Sequence, residues 1–512
     1  MLAQVAQELE TPAVEYSALL PILIMLGGAI VLAVVGAMLP RKARTPWHAA
    51  FTVVTAGASI VAWIPLWVRA RDDGAMRTVA EAFRVDGLTV MLGIVIAAGV
   101  ILTALLADGY LRRENLEGPE AYVLLLLSAS GGMFMAGAND LLVLFISLEI
   151  LSIAVYVLAG VHVRRARSGE AALKYLILGA VSSAFLLYGV AMVYGATGHT
   201  NLTAIQGFLA GNFLTNNVLL LSGFVCLLVG LGFKVAAAPF HSWAPDVYDG
   251  SPSPVVAYMA SGVKVAGFAA LIRVFVQAFG SYRYDWQPII YAVAVATLLV
   301  GSVLSVQQTN VKRLLAYSSI SHAGFMLLGV QAATDRGVEA TLFYLATYTF
   351  TVAGSFGVAT VVGRKGDNAH DLSNYAGLGK RAPLLAFAFL VFLLAQAGIP
   401  ATSGFLAKFY AIGAAVDARS YWLGLVAMLS GVISAYAYLK VVLTMYGDEA
   451  EEGAPRYHVP QGARFALVAS VVATLGFGIV PGPIADASRT AVKSIVDAPA
   501  ADQEIPFEIV GG

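Results

Sequence analysis

The chain has 512 residues, 59% hydrophobic and 12% charged, which leaves too little polar surface for a water-soluble fold of this size. Its 31 basic and 31 acidic residues cancel, so there is no electrostatic case for nucleic acid. Apolar runs of about 20 residues recur and are continuous rather than alternating, which indicates membrane-spanning helices and excludes a closed barrel.

In chain order, the first residues, MLAQVAQELETPAVEY, are acidic and lack the basic start of a signal peptide. About fourteen helices are expected after them. Three lie near 16–39, 47–68 and 86–107. Five follow near 120–137, 140–162, 170–195, 216–243 and 254–279, and five more near 288–308, 313–333, 338–363, 382–412 and 420–446. The last is expected at 462–484, and the polar tail SRTAVKSIVDAPAADQEIPFEIVGG is expected outside the bilayer. The fold class is therefore an all-α polytopic membrane protein. It divides into 1–119, 120–280, 281–446 and 447–512.

Basic residues orient the stack. RKAR (41–44), Arg112–Arg113, RRAR (164–167), Lys312–Arg313, Arg364–Lys365 and Lys380–Arg381 all follow odd-numbered helices, which places both termini on the non-cytoplasmic side. The second loop, with Arg69, Arg71, Arg77 and Arg84, is the exception.

An internal repeat is also legible. EAALKY at Glu170 returns as EATLFY at Glu339, and SGVK at Ser261 returns as SGVI at Ser430, each shifted by 169 (339 − 170 and 430 − 261). The shift maps helices four to eight onto nine to thirteen. A five-helix unit is odd, so the second copy must enter the membrane from the opposite side, as in inverted-repeat transporters. Pro239 breaks helix seven and Pro400 breaks helix twelve, and broken helices in matching positions point to a transport path.

Five charged residues fall inside these helices: Glu149, Lys174, Lys234, Lys264 and Lys408. Each costs on the order of 2.5–3.5 kcal/mol at the bilayer centre, so each needs a partner or a task. Lys174 and Lys408 have the option of snorkelling to the interface. Glu149, Lys234 and Lys264 have that of a structural ion pair. His241, just past Pro239, suits either a relay or a backbone cap, and His322 faces the same choice. Asp246 and Asp249, in a Pro/Gly-rich loop, read as turn formers, and Arg273 and Lys440, near helix ends, as interfacial anchors. A lysine-rich row suits proton transfer, since burial and a carboxylate act on a lysine in opposite directions. It is poor in the oxygen ligands that a metal cation requires, although backbone carbonyls at the breaks offer some.

The single cysteine, Cys226, allows no internal disulfide and no cysteine cluster. There is no Gly-rich phosphate loop, dinucleotide fingerprint or zinc-binding helix motif, so no cofactor or metal site is expected in this chain.

The stretches KVAAAPFHSWAPDVYDGSPSPV, ASGVKVAGF and GIPATSGFLAKFY resemble the proton-translocating membrane subunits of complex I and the related multi-subunit cation/proton antiporters. The resemblance covers helices four to thirteen. The DVYDGSPSPV loop is most similar to the N-type branch, and the helix-twelve lysine suits the N or L type rather than the M type. The resemblance implies that Glu149 and Lys234 form a modulating pair, that Lys264 and the histidines relay, and that Lys408 is the terminal donor; Lys174 matches the family's helix-six lysine. It further implies a bacterial cell membrane, other complex I membrane subunits as partners, and NADH, FMN, iron–sulfur clusters and quinone housed in those partners. On that reading the chain carries the translocation of a NADH:quinone oxidoreductase, not its redox chemistry. A cation/proton antiporter subunit, a complex I relative with another electron donor and a structural scaffold are the rival readings.

Overall fold

The computed structural model describes residues 14–38, 47–212, 217–449 and 457–493. The RKAR loop, the extreme N-terminus and the tail beyond Lys493 lie outside the described residues.

Among the described residues the protein is a helical bundle with twelve helices long and apolar enough to cross a membrane. It opens with α1 (Tyr16–Met38) and α2 (Trp47–Asp72), then a short antiparallel hairpin of β1 (Met76–Thr78) and β2 (Phe83–Val85), and α3 (Gly87–Glu114). Next come α4 (Glu120–Gly137), α5 (Leu141–Ala159), α6 (Ala166–Thr197) and the short α7 (Leu202–Gly211). Then follow α8 (Val218–Val235) and α9 (Trp243–Gly250). A continuous helix over Ser253–Ala278 contains α10 (Ser253–Tyr258) and α11 (Lys264–Leu271), each followed by a π-helical stretch. The second part runs α12 (Arg283–Val306), α13 (Val311–Ala332), α14 (Asp335–Val362), α15 (Leu378–Arg381), α16 (Pro383–Ala397), α17 (Ser403–Asp417) and α18 (Tyr421–Gly447). It closes with α19 (Gln461–Ile479) and α20 (Gly482–Lys493).

Two expected spans are missing from the twelve, for different physical reasons. The segment expected at 313–333 is the helix α13, but its serines and His322 make it too polar to qualify. That polarity is tolerable because α13 is buried almost throughout. The segment expected at 382–412 is divided into α16 and α17, each 15 residues long and too short to cross alone. The segment expected at 216–243 ends its first helix at Val235.

Neither proline is itself the break. α8 stops at Val235, where Ala236 turns left-handed (φ 58°), before Pro239 is reached. α16 stops at Ala397, where Gly398 takes φ 87°, a conformation that favours glycine. The prolines follow helix ends that are already closed, and both rings lie at the protein surface. Gly404, at the start of α17, lies so near α16 that an added Cβ would sit 1.9 Å from the Ala395 carbonyl oxygen. The two half-helices therefore meet through bare backbone.

One local device occurs twice. Asp140 caps α5, accepting from Leu142 N at 2.7 Å, and the chain there clasps the start of α7: Leu141 N donates to Thr200 O at 2.9 Å and Leu202 N to Asn139 O at 2.8 Å. Asn310 caps α13, accepting from Arg313 N at 3.1 Å, and Val311 N donates to His370 O while Leu372 N donates to Thr309 O, both at 2.8 Å. Every residue of the second clasp is shifted by 170 from the first (311 − 141, 370 − 200, 372 − 202 and 309 − 139).

Two buried ionic clusters fasten the bundle. Arg273 was expected at an interface; instead it is 1% exposed and donates to both Asp86 carboxylate oxygens at 2.6 and 2.7 Å, to Thr89 Oγ1 at 2.8 Å and to Ala136 O at 3.1 Å. Arg84, fully buried, joins the same carboxylate at 3.0 Å. One of the four arginines that broke the orientation pattern is thus an interior residue rather than a loop charge. The second cluster centres on Asp367, fully buried beyond the end of α14. It accepts from Lys312 Nζ at 3.2 Å and Ser253 Oγ at 2.9 Å, sits 2.8 Å from His370 Nε2, and lies 3.5 Å from Arg165. It therefore joins the α5–α6 loop, the loop after α9, the start of α13 and the loop after α14. The expected tail beyond helix fourteen begins with α20, which packs on α14 and α3 rather than standing free.

Candidate functional site

Lys234 occupies the last turn of α8 and is 3% exposed. Its ammonium donates to Ser152 Oγ at 2.7 Å and lies 5.7 and 5.6 Å from the ring centres of Tyr156 and Tyr175. Trp243 stacks on Tyr175 at 4.3 Å, and its indole donates to the Phe233 carbonyl at 3.0 Å, so the first residue of α9 satisfies backbone left open at the end of α8. Gly267 on α11 lets the chain pass at this level, where a Cβ would stand 2.7 Å from Val235 and 3.6 Å from the Lys234 side chain.

Glu149 does not touch Lys234. Its carboxylate accepts from Ser183 on α6, and Ser152, which holds the lysine, stands one turn further along α5. The implied pair is thus not closed as an ion pair; each member is held by its own serine.

Lys264 begins α11 directly after a π-helical stretch, a feature that often accompanies functional sites. It is 2% exposed; its ammonium donates to Ser319 Oγ at 2.6 Å and stands 5.8 Å from the Tyr348 ring centre. One turn along α13 from Ser319, His322 stacks against Tyr348 at 4.7 Å. Its Nδ1 lies 2.6 Å from Tyr344 OH and its Nε2 3.4 Å from Tyr438 OH. From Tyr438 the polar line continues to Ser318 at 2.5 Å, and Ser318 donates to Gln396 Oε1 at 2.8 Å. Gln396 belongs to the last turn of α16, and its carbonyl accepts from Lys408 Nζ at 2.7 Å, with Ala397 O at 3.2 Å. Lys408 therefore caps the broken end of α16, and its ammonium lies 4.9 Å from the Phe325 ring centre. Lys264, His322 and Lys408 are in this way joined through Ser319, Tyr348, Tyr438, Ser318 and Gln396 across six helices, α11, α13, α14, α16, α17 and α18.

The remaining expected residues stand apart. Lys174 is 42% exposed and pairs with Glu170 at 2.6 Å and Asp246 at 3.0 Å, with Arg313 completing the group at 2.7 Å from Asp246. Asp246 is thus an ion-pair centre rather than a turn former. Burial alone would raise its carboxyl, but the bonds from Arg313 and Lys174 hold it below the ordinary carboxylate value. His241 is half-buried past the break; its Nδ1 has no hydrogen-bond partner among the described residues, while its ring bonds to the Pro239 backbone inside the break. His322, in the middle of α13, caps no helix end. Ser152, Ser318, Ser319, Tyr438 and Gln396 are the members that the sequence did not single out.

Residues 138–434 match the family described as NADH:quinone oxidoreductase/Mrp antiporter, TM. NADH-quinone oxidoreductase subunit N of Trichlorobacter lovleyi is 39% identical over 477 residues, covering 93% of this chain and 96% of that protein. The subunit N of Salinispora arenicola is 42% identical over 520 residues, covering 95% and 99%. Among solved structures, a chain of respiratory complex I from Thermus thermophilus superposes with TM-score 0.78 at 33% identity, covering 92% of this chain and 99% of that one. A chain of the Mrp complex from a Dietzia species superposes with TM-score 0.83 at 21% identity, covering 94% and 98%, which is a likeness of fold alone.

Proposed function

This chain belongs to the family of membrane subunits shared by NADH:quinone oxidoreductase and the Mrp antiporter, and on that premise we propose that it is the N-type, proton-translocating membrane subunit of a bacterial NADH:quinone oxidoreductase. It is a multi-pass protein of the inner membrane. Electron transfer from NADH to quinone, with its flavin and iron–sulfur centres, belongs to partner subunits, and this chain couples that transfer to proton movement.

The observation that carries the reading is the line from Lys264 to Lys408: two buried ammonium groups joined by hydroxyl, imidazole and amide groups within hydrogen-bond or ring-contact distance. Such a line passes protons, and with two ammonium groups and no carboxylate among its members it disfavours a metal cation. Lys234, one half-helix away and held by Ser152, is the entry switch. Glu149 acts on it through space, as a modulator rather than a contact partner. Lys264 and His322 relay, Lys408 is the terminal donor, Lys174 supplies the entry cleft, and His241 stands beside the break as an auxiliary group.

Within this reading the protein crosses the membrane fourteen times, counting polar α13 and the divided α16–α17. Residues 120–280 and 281–446 are inverted five-helix half-channels, 1–119 the leading helices and 447–512 the closing helix and tail. The paired clasps support the inversion. Their shift of 170 agrees within one residue with the sequence shift of 169, and the first clasp sits at the opposite end of α5 from the α5–α6 loop, whose Arg165 reaches the start of α13. Both termini then face away from the cytoplasm.

Lys234→Ala in the assembled enzyme is expected to lower protons moved per electron, read by pH change in sealed vesicles during NADH oxidation. Normal pumping per electron would refute the reading. Glu149→Gln is likewise expected to disturb coupling; turnover and pumping both left unchanged would refute the modulating pair. An antiporter subunit is the second reading. It predicts sodium-dependent proton exchange without NADH, and the copurifying subunits separate the two.

A further inference from the structure

Two solvent-open clefts lie at the two ends of α13. The first, about 230 Å³, is walled by Arg167, Glu170, Ala171 and Lys174 of α6, with Asp246 of α9 and Arg313 from the first turn of α13. The second, about 480 Å³, is walled by Arg336, Glu339, Ala340 and Phe343 of α14, with Tyr410 of α17 and Arg489 of α20. α14 begins at Asp335, just after α13 ends at Ala332, so the 22 residues of α13 separate the clefts by roughly 33 Å at 1.5 Å per residue. They therefore open on opposite faces of the bundle.

The four helical wall residues correspond one to one. Each residue of the second cleft is its counterpart in the first shifted by 169 (336 − 167, 339 − 170, 340 − 171 and 343 − 174). The spacing i, i+3, i+4, i+7 is a single helical stripe, so the same face of two related helices lines both cavities. The chemistry differs at one position. Lys174, on the first cleft's floor, is paired with Glu170 and Asp246 and stays in contact with water. Its counterpart Phe343 is 1% exposed and meets the Tyr410 ring edge-on at 5.0 Å. Tyr410 stands two residues, about 3 Å, beyond Lys408 along α17, in the direction of Asp417, which pairs with Arg336 of the cleft wall. On the same wall stands Glu339, 27% exposed and 3.5 Å from Arg489.

We propose that these clefts are the aqueous mouths of the proton path. The Phe343–Tyr410 pair is an apolar constriction that keeps water of the second mouth from Lys408, and Glu339 is the group that receives the proton beyond it. Apolar constrictions of this kind close by excluding water and open with small ring movements. The asymmetry gives direction: the charged floor admits protons freely, whereas the ringed floor releases them only when it opens. This inference rests on the proton-translocation reading above.

The test uses the assembled enzyme in sealed vesicles of both orientations, with Cys226→Ser as background and a small membrane-impermeant methanethiosulfonate as probe. Glu170→Cys is expected to react only from the cytoplasmic face and Glu339→Cys only from the other. Lys408→Cys is expected to react slowly, and adding Phe343→Ala is expected to speed its reaction from the non-cytoplasmic face by at least about tenfold, as removal of an apolar gate requires. Labelling of Glu170→Cys and Glu339→Cys from one face, or a Lys408→Cys rate indifferent to Phe343→Ala, would overturn the proposal. Where Lys408→Cys does not assemble, Ser403→Cys, deeper on α17, replaces it with the same expectation. The labelling reads water access and the Lys234→Ala experiment reads pumping, so the two conclusions can fail separately.

Discussion

Lys264→Met is expected to abolish this subunit's share of proton translocation and, in tightly coupled membranes, to slow NADH-driven quinone reduction by about tenfold, which is about 1.4 kcal/mol in the barrier. Lys264 is the only member of the line that enters from the π-bulged helix, and Ser319 holds it where that helix meets α13. Methionine keeps the length and volume of the side chain and removes the exchangeable proton, so packing changes little. The decisive companion is Lys264→Arg. A guanidinium keeps the positive charge and the bonds to Ser319 but does not deprotonate in proteins. If Lys264 exchanges a proton, Lys264→Arg fails as completely as Lys264→Met. If it only supplies fixed charge, Lys264→Arg pumps normally and the relay role is wrong. Protons per electron and turnover, measured on the same vesicles, separate a lost path from a lost enzyme.

Asp367→Asn is expected to destabilise the subunit by about 3–5 kcal/mol, because it leaves Lys312, Arg165 and His370 around a buried site with no anion. The effect is read as a lowered midpoint for thermal dissociation of the purified complex; an unchanged midpoint would show that the cluster contributes nothing. Burial alone would raise the Asp367 carboxyl, but Lys312, His370 and Arg165 hold it well below the ordinary carboxylate range. Its folded value is thus depressed. The stabilisation it gives is fully present above the unfolded value of about 3.9 and is lost as pH falls through the folded one. Burial, against the pull of Asp367, holds His370 below its usual value, so the imidazole stays neutral at pH 7. The double change Asp367→Leu with Lys312→Met should recover part of the loss, since a matched apolar pair leaves fewer buried charges exposed to one another.

The charged row was legible in the sequence because its members contradict their surroundings: a lysine in an apolar run stands out whatever the fold. The broken helices were legible from Pro239 and Pro400, though each helix ends a few residues earlier, at Val235 and Ala397. The prolines mark where a helix cannot resume, while the left-handed Ala236 and Gly398 mark where it stops. The connecting groups were not legible. Ser319, Tyr438 and Gln396 are ordinary residues whose meaning comes from neighbours 55 to 120 positions away. The two buried arginines misled for the same reason. Arg273 and Arg84 sit near element ends, and only the return of Asp86 from 187 residues upstream of Arg273 explains why they point inward. Glu149 and Lys234 show the converse: a pair inferred from charge alone is held by two separate serines, Ser183 and Ser152.

The two backbone clasps carry a consequence for how the chain is made. Each joins residues 59 and 63 apart (200 − 141 and 202 − 139, 370 − 311 and 372 − 309) and needs only the two helices in between. Asp140 is already in place when Thr200 leaves the ribosome, and Asn310 when His370 does. Each clasp can therefore lock a helical hairpin, α5–α6 or α13–α14, during synthesis, the first of them before any segment of the second half exists. A chain that buries lysines in a bilayer is most exposed while those lysines lack partners. Ser152 is carried on the first hairpin, so the acceptor of Lys234 is fixed before that lysine is translated; Lys408 finds its acceptors on α16, made just before it, and Lys264 alone must wait for Ser319 on the second hairpin.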